Sequence, residues 1–149
     1  MKEQNLKIRK VKLPKDQVIV VRPFTGPLYK IPASIEKIKA DLRHQGFSFR
    51  EYEAILTLEG LPTMDEINSL KGCYGVIANE ANQVNDPFEI QKFPAVRYYY
   101  ARYKGTILDG FEVVIKAMNS KRGQKIVKTY IVFSYEKGAL VNEFFCQLG

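Results

Sequence analysis

The sequence predicts an α+β fold of two β-α-β-β repeats with pseudo-twofold symmetry, antiparallel sheets with helices on one face and a central cleft. Two observations carry this. The first is a Pro-opened aromatic strand, Phe93-Pro94-Ala95-Val96-Arg97-Tyr98-Tyr99-Tyr100-Ala101-Arg102-Tyr103-Lys104-Gly105, which ends in glycine just ahead of an amphipathic helical pattern. The second is a weaker copy upstream, Val18-Ile19-Val20-Val21-Arg22-Pro23-Phe24-Thr25-Gly26, followed by a helical pattern with apolar Ile35, Ile38 and Leu42. Strand, glycine and helix occurring twice in 149 residues describe one domain of two halves, 17–80 and 88–149, after a basic arm at 1–16. Such halves meet in a cleft, and strand aromatics lining it suit a flat, apolar small molecule.

The elements follow in order. Residues 17–22 are β-branched and apolar, a buried strand stopped by Pro23 and Gly26. After a loop holding Pro27 and Pro32, Ser34 is placed to cap a helix over 35–45, with Gly46 as its stop and His44 in its last turn. Residues 51–58 alternate, with Tyr52, Ala54, Leu56 and Leu58 on one face and Glu51, Glu53, Ile55 and Thr57 on the other. A turn of helix at 65–70 and a strand at 73–78 complete the first half, and 79–87 has the composition of a hinge loop.

The second half repeats the plan. One long strand over 89–104, bent at Pro94, places Tyr98, Tyr100 and Arg102 on one face and Arg97, Tyr99 and Tyr103 on the other. Alternation alone does not say which face meets the cleft. Asp109 and Glu112 read as a capping box, and Phe111, Val114, Ile115 and Met118 form one apolar helical stripe. The basic loop 120–125 ends it, and strands at 128–135 and 140–148 close the chain.

Composition narrows function. The net charge of +7 is concentrated at the start, where Lys2, Lys7, Arg9, Lys10, Lys12 and Lys15 face only Glu3 and Asp16. A basic arm can touch phosphates, but lysines also keep an edge strand from aggregating. No helix-turn-helix, zinc-finger or RNA-recognition pattern accompanies it, so direct nucleic-acid binding is not expected. No run reaches the roughly 18 apolar residues of a membrane helix, and the polar start Met1-Lys2-Glu3-Gln4-Asn5 points to the cytoplasm. Cys73 and Cys146 lack metal spacing and are expected to be buried, inert thiols. With a single histidine and no phosphate loop, dinucleotide fingerprint or metalloprotease motif, no cofactor, metal or catalytic set is implied.

At these residues the chain resembles the GyrI-like family, the small-molecule-binding domain found alone in gyrase-inhibitor proteins and fused to DNA-binding heads in AraC-type and MerR-type transcription regulators. The resemblance rests on Phe93-Pro94-Ala95 through Lys104-Gly105, the helix bearing Phe111, and the closing strands with Tyr135 and 141–148. It implies a stand-alone member that binds planar or hydrophobic, often cationic, ligands between its halves. The aromatic inventory of nine Tyr and nine Phe agrees, since rings stack on apolar ligands and attract cations. Candidate ligand-binding residues are Tyr52, Tyr98, Tyr100, Tyr130, Phe133 and Tyr135.

One departure from the family stands out. Cation-recognising members place a carboxylate two residues before the aromatic that is Tyr135 here, and this chain has Phe133 there. Glu53 and Glu136 are the acids able to substitute, and they join the candidate list. The leading expectation is a non-catalytic binding domain, a sensor or sequestering protein, monomeric or weakly dimeric. The alternatives are a small hydrolase of reactive electrophiles, which needs a carboxylate in the cleft, and an interaction protein for gyrase or a regulator.

Overall fold

The computed structural model describes residues 6–79, 84, 85, 87–119 and 125–149. Much of the expected hinge (80–83 and 86) and most of the expected basic loop (120–124) lie outside these residues. Within them the strands are β1 (Arg9–Lys12), β2 (Gln17–Gly26), β3 (Glu53–Glu59), β4 (Leu70–Ile77), β5 (Glu89–Phe93), β6 (Arg97–Lys104), β7 (Ile126–Glu136) and β8 (Ala139–Leu148). The helices are α1 (Ile31–His44) and α2 (Ile107–Asn119). No helix among the described residues is long and apolar enough to cross a membrane.

All eight strands form one antiparallel sheet in the order β1-β6-β8-β7-β3-β4-β2-β5. The order mirrors the repeat. β7 and β3 meet at the centre, flanked by β8 and β4, then β6 and β2, with β1 and β5 at the edges. The segment read as a basic arm thus contributes an edge strand, pairing Arg9 with Tyr100 and Lys12 with Arg97.

The expected long strand over 89–104 is two strands. β5 pairs with β2 of the first half and β6 with β8 of the second, so the chain crosses between opposite ends of the sheet at 94–96. Three residues can make that crossing only because the sheet curls into a half-barrel. On the face away from the helices, Phe93 of β5 stacks on Tyr130 of β7 at 4.6 Å between centroids and packs edge-on against Tyr98 and Phe145. The Asp16 carboxylate accepts a 2.7 Å hydrogen bond from the Ala95 amide and locks the crossing.

The opposite face is covered by both helices. Ile31, Ile35, Ile38 and Leu42 of α1 and Phe111, Val114, Ile115 and Met118 of α2 are buried against Val20, Leu56, Ile131 and Phe144 of the sheet. Each such side chain contributes about 1.5–3 kcal/mol. α1 begins at Ile31 rather than Ile35, with Pro32 in its first turn, where a missing N–H costs nothing. Ser34 is no cap: its hydroxyl donates back to the Lys30 carbonyl at 2.9 Å. α2 starts after Gly105, and its cap is Thr106, whose hydroxyl accepts from the Asp109 amide at 3.2 Å, so Asp109 sits inside the first turn.

The repeat has a backbone signature as well. Gly26 and Gly105, at the ends of β2 and β6, share φ +146°, a conformation side chains resist. Each lies two residues after a ring, Phe24 and Tyr103. A Cβ on Gly105 would come within 2.8 Å of the Tyr103 ring, whereas one on Gly26 would stand 3.7 Å from Phe24. Buried Asn142 fixes the second turn by donating to the Tyr103 and Gly105 carbonyls. Gly105→Ala is therefore expected to destabilise by about 1–3 kcal/mol through backbone strain alone. Gly26→Ala should cost less, and chemical denaturation of the pair measures the difference.

Cys146 is buried as expected, but Cys73 is only half-buried, with its sulfur 3.8 Å from Glu89 Oε1 and Gln91 Nε2. Burial and the Glu89 charge push the Cys73 thiol up, which keeps it protonated and unreactive.

Candidate functional site

A hollow of about 90 Å³ opens on the helix face where the two halves meet. Its floor is the central seam. In that seam Ala54 of β3 lies opposite Phe133 of β7, whereas the next pair inward on the same face, Leu56 and Ile131, is fully packed. A methyl where its neighbours on β3 carry leucines leaves the space. α1 walls one side through Ile31, Pro32 and Ile35, and Ile107 of α2 with Leu140 of β8 walls the other. The lining is overwhelmingly apolar. Its volume is below the roughly 300 Å³ at the small end of ligand pockets, so a drug-sized ligand must lie partly outside the hollow or displace a ring at its mouth.

Tyr135 supplies that ring. It lines the hollow yet is 74% exposed, and Tyr52, one residue beyond the last seam pair Glu53–Ser134 on the other strand, is 69% exposed. Tyr135 thus stands in water at the rim of an apolar recess, and Tyr52 is the next residue beyond the seam.

The polar groups are tied down. Arg43 of α1 forks onto the Glu51 carboxylate at 2.6–2.9 Å, and that hydrogen bonding holds the carboxyl below its usual range. Lys39, which lines the hollow, donates from Nζ to the Glu51 carbonyl at 2.7 Å. Glu53 also lines it, its carboxylate 3.5 Å from Arg50 Nη1 and its side chain only 15% exposed. The third charged lining residue, Glu36, is open to solvent.

Of the eight residues singled out in the sequence, Glu53, Phe133 and Tyr135 line the hollow, and Tyr52 precedes Glu53 in the chain without being part of the lining. The other four belong to the opposite face. Tyr98 and Tyr130 are buried in the ring cluster with Phe93. Tyr100 donates its hydroxyl to Glu143, and Glu136 pairs with Arg102. Ile31 and Ile107 escaped the sequence reading because the first was placed in a loop before Pro32 and the second before an Asp109 cap. Their signal lay in their matching positions, each the first residue of its helix.

No family model matches the chain, and no curated protein matches it. Solved structures do. The C-terminal domain of EcmrR aligns with a TM-score of 0.72 at 14% identity, over 98% of this chain and 99% of that one. EcmrR in its DNA complex aligns at 0.70 and 13% identity over 96% of this chain, which spans 57% of that chain. SAV2435 bound to tetraphenylphosphonium aligns at 0.61 and 10% identity, over 96% of this chain and 94% of that one. At such identities the property shared is the fold: this curled sheet with helices on one face is the architecture of the EcmrR C-terminal domain and of SAV2435.

Proposed function

We propose that the chain is a non-catalytic small-molecule-binding domain that takes flat hydrophobic ligands at the seam of its halves and acts as a sensor or sequestering protein. The observation that carries this is the apolar hollow floored by Ala54 and Phe133, with solvent-held Tyr135 in its lining and exposed Tyr52 one residue beyond the seam. The occupant would stack on Tyr135 and Tyr52 while part of it enters the recess, an arrangement that tolerates many flat ligands. The tetraphenylphosphonium on SAV2435, which shares this fold, supports a hydrophobic, ring-bearing ligand, although that ligand is a tetrahedral cation rather than a flat neutral molecule.

The test uses Nile red, a neutral flat dye whose emission brightens in apolar sites. Saturable binding is expected in wild type. Tyr135→Ala should weaken it about tenfold, the loss of one stacking ring at about 1.4 kcal/mol. Ala54→Leu, which fills the recess, should weaken it further. Dye binding indifferent to both changes would remove the site.

Glu53 supports a second reading, hydrolysis of a reactive electrophile, because it is a shielded carboxylate at the hollow. That reading predicts consumption of an aryl epoxide that Glu53→Gln abolishes; no turnover above buffer retires it.

A further inference from the structure

We propose that the Arg50–Glu53 pair makes this hollow selective for uncharged aromatic ligands and against permanent cations, an inference that rests on the binding role above. A permanently charged lipophilic cation loses its hydration on entering an apolar recess and needs a shielded carboxylate in exchange. Among the lining residues Glu53 alone fits, since Glu36 is solvated. Arg50, three residues earlier in the turn leading into β3, already faces Glu53 at 3.5 Å. The Arg50 guanidinium, from outside the lining, thus already supplies Glu53 with the positive partner that a cationic ligand would offer.

The neighbouring charges reinforce the exclusion. Lys39, a residue only 7% exposed, brings its ammonium to the wall, and that group's 2.7 Å partner is a neutral carbonyl. Of the carboxylates around it, Glu51 is held by the Arg43 fork, Glu53 faces Arg50, and Glu36, three residues earlier on α1, is open to solvent. Phe133 and Ala54 on the floor carry no charge. An entering cation therefore meets Lys39 in the wall and a Glu53 already paired with Arg50, and like charges brought together at an interface are strongly unfavourable. A neutral ring system meets the same wall without that repulsion. In this the chain would differ from SAV2435, whose bound tetraphenylphosphonium is a cation.

Calorimetric titration of the full chain with tetraphenylphosphonium and with uncharged triphenylphosphine oxide tests the proposal. Wild type is expected to bind the neutral compound more tightly. Arg50→Gln frees Glu53 and should raise tetraphenylphosphonium affinity roughly tenfold, with triphenylphosphine oxide changed less than about twofold. Adding Glu53→Gln to that variant should abolish the gain. Lys15→Gln, a remote loss of one positive charge, should leave both affinities unchanged; an equal gain there would assign the effect to net charge and overturn the proposal. So would tetraphenylphosphonium binding that Arg50→Gln leaves unchanged or weakens while triphenylphosphine oxide still binds, a result that spares the binding role. Failure of every variant to bind either compound would overturn both.

Discussion

Replacing Phe93 with alanine is expected to remove about 3–5 kcal/mol of folding stability, the cost of deleting a fully enclosed large ring. Phe93 is 1% exposed and touches Tyr98, Tyr130 and Phe145, which belong to three different strands. It is the contact by which edge strand β5 reaches the second half, so its loss opens a cavity and also releases the curl of the sheet. Against a typical total of about 5–15 kcal/mol, that is a large fraction. Guanidinium unfolding should show a much lower midpoint, and amide exchange should accelerate first in β5. Ile90→Ala, on the same strand but exposed, should cost well under half as much. Equal losses at the two positions would mean that the ring cluster does not close the sheet.

The same ring cluster explains what could be read from the sequence and what could not. Two strands ending in glycine were legible because φ +146° at Gly26 and Gly105 leaves few other residues, and the helical stripes were legible because their spacing is local. The crossing at 94–96 was not. Whether a strand bends at a proline or changes ends of the sheet depends on where Phe93 finds its partners, and those lie five to fifty-two residues away in sequence. The start of α1 was missed for a simpler reason: proline looks like a loop residue although it is compatible with a first turn.

The site divides along the same line. Alternation grouped Tyr98 with Tyr100, and Phe133 with Tyr135, since period two is local. It could not say which group lies beneath the helices, because that is decided by which strand face α1 and α2 bury. The hollow is a property of register, arising from Ala54 standing opposite Phe133 rather than from either residue alone. Glu53 shows the limit most clearly. On β3 it alternates with Ala54, yet its place at the strand end, next to Arg50, brings it to the hollow's rim.

Stability is expected to fall steeply above about pH 9, because the fold shelters protons that the unfolded chain gives up. Burial pushes the Cys146 thiol up to about 12 and the Tyr130 phenol up to about 12. Burial also raises Tyr98, and it raises Tyr100 with help from the Glu143 carboxylate that accepts its hydroxyl. In the unfolded chain, thiols ionise near about 8.5 and phenols near about 10. Between those values and about 12 the folded state holds more protons than the unfolded one, so rising pH favours unfolding; below about 8.5 the contribution is complete and flat. Each withheld proton contributes up to about 1.4 kcal/mol per pH unit, less for the tyrosines, whose hydroxyls lie nearer solvent than the Cys146 sulfur. Cys146, enclosed at the β6–β8 seam, should dominate from about pH 9 to 10, and the three phenols should join above. Denaturation at stepped pH should show stability nearly constant up to about 8.5 and then falling by several kcal/mol before pH 12. Cys146→Ala should remove the earliest part of that fall, and the phenolate absorbance of Tyr98, Tyr100 and Tyr130 should rise only with unfolding. Because Tyr29, Tyr52 and Tyr135 are exposed, the signal is read as the difference between wild type and Tyr130→Phe; a difference that grows gradually while the chain is still folded would show instead that the ring cluster admits hydroxide, and with it that the curled face is open to water.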